Sequence, residues 1–361
     1  MASLLHKISK NPLGLAGLIV IVGAFGLAVA AYHLAPDNTP YANRMNLALS
    51  NKAPGFTMQF IKVPVQERAK NDAPGFWHQL LYGKLDTYRY IPIQQYRQQG
   101  DSLHYLLYRG EATGLPQSIA LQQWQSGSFS ESEHLIQRSY WLGTDKYGRD
   151  VLSRIILGTR ISLAVGLVSV FISLVIGIPM GLSAAYFGGK IDQLIMWIIN
   201  VVWSIPGLLL VIAITLALGK GFYQVFIAIG FTMWVEVARV TRGQVLSVKQ
   251  REYVQAARVL GFSDIRIMFR HILPNVVAPL IVISAANFAA AILIESGLSF
   301  LGIGAQPPMP SWGGMIKDHY AYLVVGKAYL AIAPGVAIML LVLAFMMLGN
   351  ALRDALDVRQ V

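Results

Sequence analysis

The chain has 361 residues, of which 55% are hydrophobic and only 13% charged; its formal net charge is +11 and it has no cysteine. A soluble domain carries about 25% charged residues, so this composition argues for a membrane protein. The missing cysteines exclude a disulfide framework, a thiolate metal site and a cysteine nucleophile. Apolar runs of about 20 residues, enough to cross a bilayer as a helix, occur at residues 13–34, 161–186, 194–218, 222–240, 276–300 and 328–348. The first follows a short basic head with Lys7 and Lys10. It is longer than the apolar core of a signal peptide and is predicted to remain as an anchor helix.

Lys and Arg in short loops set the orientation of such a chain. Arg239, Arg242, Lys249, Arg251, Arg258, Arg266 and Arg270 all lie in the loop after the fourth run, whereas the short loop on the other side of that run carries Lys220. Both ends are therefore predicted to lie inside and residues 35–159 outside. The net positive charge is a topology signal and needs no nucleic-acid partner.

The outside segment is normal in polarity. Its β-like runs fall at 56–65, 87–95 and 103–109, and Gln98-Gln99-Gly100-Asp101 suits a hairpin loop between the last two. Ala53-Pro54-Gly55-Phe56 recurs as Ala73-Pro74-Gly75-Phe76, which reads as two turns. The segment is longer than a connection requires, which predicts a contact role of its own, with a tolerated decoration as the alternative. Next comes Leu142-Gly143-Thr144-Asp145-Lys146-Tyr147-Gly148-Arg149-Asp150. The two glycines bracket four residues, as in a phosphate loop, but Arg149-Asp150 stands where Lys-Ser/Thr is required. A calcium loop from Asp145 and Asp150 lacks the EF-hand spacing. The expected structure is a turn held by Asp and Arg partners, launching an amphipathic helix over 151–158 at the outer interface.

The second, third and fourth runs carry further signals. Pro179 and Pro206 each remove one helix bond and permit a bend. Gly177 and Gly181 form a small-xxx-small pair suited to close packing within the chain. Glu236 and Arg239, three apart, are expected to pair on one helix face. Glu295 is a carboxylate inside the fifth run. Two roles suit it: lining a translocation path or subunit interface, or clamping the glycine-rich turn that follows. His33, His78, His104, His134 and His319 are scattered and expected at the surface or at an interface.

The most informative stretch is 252–275, polar and basic between apolar segments. Gly261 suits the positive φ just past a helix end. Ser263 is placed to cap the next helix, with Asp264 in its first turn, and Pro274 is expected to stop it. The stretch reads as a compact helical hook on the inner side. It resembles the "EAA" loop of ABC importer permeases, the segment that plugs into the ATPase subunit. Ala256, Ala257, Gly261, Leu273 and Pro274 fall in register with that pattern, while Gln255 replaces the Glu and His271 the first Ile. Tyr253-Val254-Gln255-Ala256-Ala257-Arg258 and Arg270-His271-Ile272-Leu273-Pro274-Asn275 resemble the oligopeptide, dipeptide and nickel branch, C-type subunit. So do residues 142–154 and the run from Glu295 to Gly304 with Pro307–Gly313 after it. The third run departs from the family: Trp197 follows Met196, and Asn200 stands where an Asp is usual, so the familiar charged pair is lost.

The resemblance implies an all-α polytopic membrane protein of six transmembrane helices, with a small α+β extracytoplasmic insertion between helices 1 and 2. Residues 1–34 are the tail and first helix, 35–140 the insertion, and 141–361 the permease core with five helices and a cytoplasmic coupling loop at 241–275. It implies an ATPase-coupling site at Glu252, Gln255, Ala256, Ala257, Gly261, Asp264, Leu273 and Pro274, with Glu295, Asn200 and Pro206 as translocation-path or interface candidates. The chain has no Walker A motif, so energy is expected from ATP-Mg bound by two partner ATPases. The further partners implied are a homologous second permease, an extracytoplasmic binding protein and membrane lipid. No catalytic site, metal site or cofactor is expected on this chain. Di- or oligopeptides lead as cargo, with nickel chelates and peptide-like antibiotics behind. The rival readings are an ion-coupled transporter, which would not explain the hook, and a membrane enzyme whose outer domain is the active part.

Overall fold

The computed structural model describes residues 10–65, 75–110, 112–124, 129–219 and 221–356. Lys7, Ala73, Pro74, Lys220 and the tail after 356 lie outside those residues, so expectations that rest on them are not addressed. Helix α1 (Pro12–Val29) opens with Asn11, whose side chain accepts from the amides of Leu13 and Gly14, and is followed by a short α2 (Ala31–Leu34). The N-cap amide bonds and a proline in the first turn satisfy the orphan donors of a helix start.

The insertion is an antiparallel sheet: β1 (Phe56–Pro64), β2 (Tyr88–Gln99), β3 (Ser102–Arg109), β4 (Ala112–Ala120) and β5 (Leu135–Tyr140), in the order β4-β3-β2-β1-β5. A seven-residue α3 (Phe76–Tyr82) lies between β1 and β2, and one turn, α4 (Glu131–His134), precedes β5. The β2–β3 hairpin turns at Gly100 with φ +58°. Alternation puts Ile61, Val63, Ile91, Ile93 and Leu103 on one sheet face, closed by Trp124, whose indole donates to the Lys62 carbonyl at 2.9 Å. Met58, Phe60 and Tyr140 cover the other face with Leu49. A two-residue period therefore buries both faces, as a sheet in a small independent core must.

The helical body comprises α5 (Val151–Phe187), α6 (Gly189–Trp203), α7 (Gly207–Leu218), α8 (Phe222–Val248), α9 (Glu252–Val259), α10 (Asp264–Arg266), α11 (Leu273–Phe300), α12 (Trp312–His319) and α13 (Tyr329–Leu356). Among the described residues, five helices are long and apolar enough to cross a membrane, and the bent pair α6–α7 makes a sixth if counted as one span. The third run is thus not one straight helix: its halves meet at 91°. Pro206 has no N–H to give and disfavours helical backbone at Ile205, so the chain breaks there. Residues 151–158 do not form a separate interfacial helix. They are the first turns of the 37-residue α5, and most of them are buried. Pro179 is accommodated inside that same helix.

α5 is the axis of the body. A side chain at Gly177 would stand 2.6 Å from Val237 Cβ and 2.7 Å from the Trp234 carbonyl. One at Gly181 would stand 2.6 Å from Thr241 Cβ and strike the Ala238 carbonyl. The two glycines therefore let α8 approach α5 at backbone distance, within one subunit. At the outer end Trp312 of α12 lies over Gly158, and its indole donates to the Ile155 carbonyl at 3.0 Å.

The 142–154 turn joins sheet to body. Asp145 accepts from the amides of Tyr147 and Arg149 at 2.8 and 2.9 Å, and from the Arg149 guanidinium at 2.6 Å. Asp150 caps α5 through the Ser153 amide at 2.8 Å. The insertion is also tied to the body by Lys146 to Asp318 at 3.0 Å and by Tyr329 to the Lys52 carbonyl at 2.7 Å. His319, expected at the surface or at an interface, is 2% exposed where α12 packs beneath this turn; its Nδ1 lies 2.8 Å from the Met315 carbonyl.

Gly181→Val should lower the thermal midpoint of the detergent-solubilised chain, by a loss of about 1–3 kcal/mol from overpacking. Gly243→Ala in α8, with no atom within 4 Å of the added methyl, should match or exceed wild type, gaining roughly 0.5–1 kcal/mol. Equal midpoints for wild type and the valine variant would show that α5 and α8 do not depend on that contact.

Candidate coupling hook and intramembrane sites

The hook grows from the C-terminal end of α8, which continues to Val248 and takes residues 241–248 out of the loop. Lys249 donates to the Ala185 carbonyl at 2.6 Å, which pins the chain to the end of α5 as it leaves the helix. α9 then runs for two turns, with Glu252 in its first turn, where a carboxylate suits the helix dipole. Val254 and Ala257 face inward and join Leu182, Tyr186, Val245, Ile267 and Ile272 in one apolar cluster. Glu252, Gln255, Ala256 and Gly261 face outward. Gln255 donates back to the Gln250 carbonyl at 3.2 Å. Of the two alanines, Ala256 thus belongs to the outer surface and Ala257 to the hook's own core.

α9 ends at Gly261, with φ +74° and no atom within 4 Å of where an added methyl would stand. Its amide donates to the Arg258 carbonyl at 3.0 Å, and that of Phe262 to the Ala257 carbonyl at 3.2 Å. Glycine is required there by backbone conformation rather than by space. Ser263 precedes α10 but makes no side-chain cap, contrary to expectation. Its neighbour Asp264 accepts instead from the Tyr186 hydroxyl at 2.6 Å, a tie to the end of α5.

Pro274 does not stop the helix. It lies in the first turn of α11, and residues Ile267–Ile272 before it wind as a π-helix, with the Leu273 amide bonded to the Met268 carbonyl. A proline N cannot bond the carbonyl four residues back, and widening the preceding turn accommodates that loss. Leu273 packs against the hook's apolar cluster, while Pro274 is exposed. Phe262 stacks on His271, with centroids 5.6 Å apart, and Arg266 lies 4.1 Å over the Phe262 ring. These contacts make the hook a preformed unit. Its outer tip is apolar: Val259 is 87% exposed, Leu260 71% and Ile265 69%.

Glu295 is 1% exposed near the end of α11. Its Oε1 accepts from the Ser299 hydroxyl at 2.6 Å, and Ser299 Oγ accepts from the Ala305 amide at 3.1 Å. The carboxylate is thereby linked to the turn that follows the helix, in the geometry of a clamp. Asn200 and Pro206 lie exposed at the bend between α6 and α7. The Asn200 side chain accepts from Arg239 at 3.3 Å, and the guanidinium also lies 3.6 Å over the Trp203 ring. Arg239 therefore turns across to α6, and Glu236, exposed on α8, makes no ion pair with it. A bidentate pair, Arg242 to Asp192 at 2.6 and 2.7 Å, joins the same two helices closer to the inner end. Fifty residues separate its partners, so no local spacing announced it.

The structure therefore brings the eight hook residues together in the segment between α8 and the first turn of α11, and places Glu295 on α11 and Asn200 and Pro206 at the α6–α7 bend. A profile of the family described as "Binding-protein-dependent transport system inner membrane component" matches residues 177–360. The glutathione transport system permease protein GsiD of Pectobacterium atrosepticum is 45% identical over 219 residues, covering 61% of this chain and 72% of that protein. The protein of the same name from Shigella boydii is 44% identical over 218 residues, covering 60% and 72%. A solved chain of the MetNI methionine ABC transporter in an inward-facing conformation overlays with a TM-score of 0.46 and 21% identity, covering 56% of this chain and 96% of its own length. The matched profile takes in α8, the hook, α11 and α13, and with relatives of this identity over most of their length the chain belongs to the binding-protein-dependent transport system inner membrane components, as a permease of an ABC transporter.

Proposed function

We propose that this chain is one of two homologous permeases of an ATP-driven importer of small peptides, working by alternating access. The observation that carries the reading is the hook: an inner, prefolded unit whose tip, Val259, Leu260 and Ile265, is apolar and uncovered. Exposed apolar side chains on a preformed protrusion are what a docking contact needs, because burying them on a partner recovers the hydrophobic free energy. The partner is an ATPase subunit. Two such subunits bind ATP-Mg, close on each other and carry the hooks with them. Lys249 to Ala185 and Tyr186 to Asp264 transmit that movement to the inner end of α5. A binding protein delivers cargo on the outer side, where the sheet stands. The N- and C-termini lie inside, following the Lys and Arg of the hook loop.

The relatives named as glutathione permeases make a small dicarboxylic tripeptide the leading cargo, within the wider class of di- and oligopeptides. Nickel chelates and peptide-like antibiotics are the alternatives. Uptake of labelled glutathione by the complete complex, with dipeptides, longer peptides and nickel chelates as competitors, separates them. Strong competition by a chelate alone would overturn the peptide assignment.

Gly261→Val should uncouple ATP hydrolysis from uptake, because a β-branched residue at φ +74° costs about 1–2 kcal/mol of backbone strain. Gly261→Asn should keep most of both activities, since asparagine tolerates that region and the site has room. Normal coupled transport by the valine variant would reject the hook as the coupling element.

Topology is checked with single cysteines in this cysteine-free chain. A cysteine at position 101 should react with an impermeant maleimide in intact cells, and one at 260 should be protected until the membrane is opened. Immediate labelling at 260 would reverse the orientation.

A further inference from the structure

Helix α3 takes no part in the transport cycle proposed for the hook. Its sequence, Phe-Trp-His-Gln-Leu-Leu-Tyr, contains no Asp, Glu, Lys or Arg. Phe76 is 62% exposed, Trp77 73%, Leu81 52% and Tyr82 62%. Trp77 and Leu81 are four apart and share one side of the helix. Such an uncharged, largely aromatic surface is unusual for a helix facing water.

What fixes its position is α2, which follows the first span directly. Phe76 packs on His33, with ring centroids 5.4 Å apart. Just after α3, Gly83 lies against the Tyr32 ring, and the Lys84 amide donates to the Asn38 carbonyl at 2.8 Å. From the body, Arg160 of α5 donates to the Leu80 and Leu81 carbonyls at 3.3 and 3.2 Å, which satisfies the end of the helix. α3 is thereby held beside the point where α1 leaves the bilayer. Its apolar side continues the exposed apolar surface of that span, where Ile19, Val22, Val29 and Leu34 are all more than half exposed.

We propose that α3 is an interfacial anchor that lies in the outer leaflet and pins the sheet domain to the lipid. Phe76, Trp77 and Leu81 enter the boundary between headgroups and acyl chains, Tyr82 lies at the headgroup level, and Lys84 reaches the phosphates. Trp and Tyr prefer this depth because their rings are apolar at one end and polar at the other. A short amphipathic helix lying in the plane of the interface buries its apolar side there. The occupant is lipid because the surface continues a membrane-spanning helix and carries no charge for a protein partner to read. The inference rests on the spans alone, and neither the cargo nor the ATPase assignment enters it.

The test uses nitroxide labels on Trp77→Cys, Leu81→Cys and, as the aqueous reference in the β2–β3 turn, Asp101→Cys. The labelled chain is assembled with partners freed of reactive cysteines, in vesicles of phosphatidylethanolamine and phosphatidylglycerol. Insertion of ~5–10 Å should raise the ratio of oxygen to nickel-chelate collisions at 77 and 81 about tenfold above that at 101. As a label-free reading, brominated lipids should quench wild-type tryptophan fluorescence more than that of Trp77→Phe. A ratio at 77 and 81 equal to that at 101, with no difference in quenching, would place α3 in water and overturn the proposal. Exclusion of both collision partners would overturn it too, by showing that another protein subunit covers α3.

Discussion

The close approach of α5 and α8 is the contact on which the rest of the molecule depends. It exists because Gly177 and Gly181 leave no side chain between the helices, so Val237, Ala238 and Thr241 pack on the α5 backbone itself. In hydrocarbon there is no hydrophobic drive between helices, and dispersion at short range must supply the association. Everything on the inner side is positioned by that contact. The end of α5 receives Lys249 through the Ala185 carbonyl and holds Asp264 through Tyr186, so the hook begins and re-enters the bundle at the same helix end. On the outer side the same helix carries Gly158 under Trp312 and Asp150 as its cap. One 37-residue helix therefore links the outer turn, the bundle and the hook.

The sheet domain obeys a different physics. It has no cysteine to close it and buries apolar side chains on both faces, as water-exposed domains do. Its attachment to the bundle includes a polar junction, with the Asp145–Arg149 turn, Lys146 to Asp318 and Tyr329 to the Lys52 carbonyl, and an apolar contact of Ala35 and Ala42 with Ile156 and Leu157. A polar junction outside the hydrocarbon costs little to form and positions by direction rather than by area. The aromatic α3 adds a further hold, through Phe76 on His33 and Arg160 on the Leu80 and Leu81 carbonyls.

The departures in the third run have a common cause. With Asn200 in place of an acid, Arg239 has no carboxylate on α6 to meet at that level, and it settles on the Asn200 carbonyl oxygen and the Trp203 ring. The charge pairing between α6 and α8 is made lower down, by Arg242 and Asp192. That pair is partly exposed, and its contribution to stability is of order 0.2–1 kcal/mol. Its effect is to set the register of α6 against α8 at the start of α6, away from the bend at Pro206.

What the sequence determined by itself was whatever rests on short range or on composition. Apolar run length announced the spans, alternation announced β1, β2 and β3 with the hairpin at Gly100 but not β4 or β5, and the Gly261 position announced a left-handed turn, since only glycine takes φ +74° without strain. The Asp145–Arg149 turn was equally legible, because its partners are four residues apart. Local rules failed where a distant partner competed. Ser263 gave up its capping role, with Tyr186 bonding its neighbour Asp264 instead, and Glu236 lost Arg239 to a helix 39 residues away. Pro274 was read as a stop because an isolated helix cannot bond through it, yet the packed hook cluster holds the chain helical across it by widening one turn to a π-helix. The tertiary structure alone decided that Ala257 faces inward and Ala256 outward, that residues 151–158 are the start of a buried span, and that α3 lies beside the end of the first helix. Each of these depends on which surfaces meet, and burial against a chosen neighbour outweighs the roughly 1 kcal/mol that a local preference can supply.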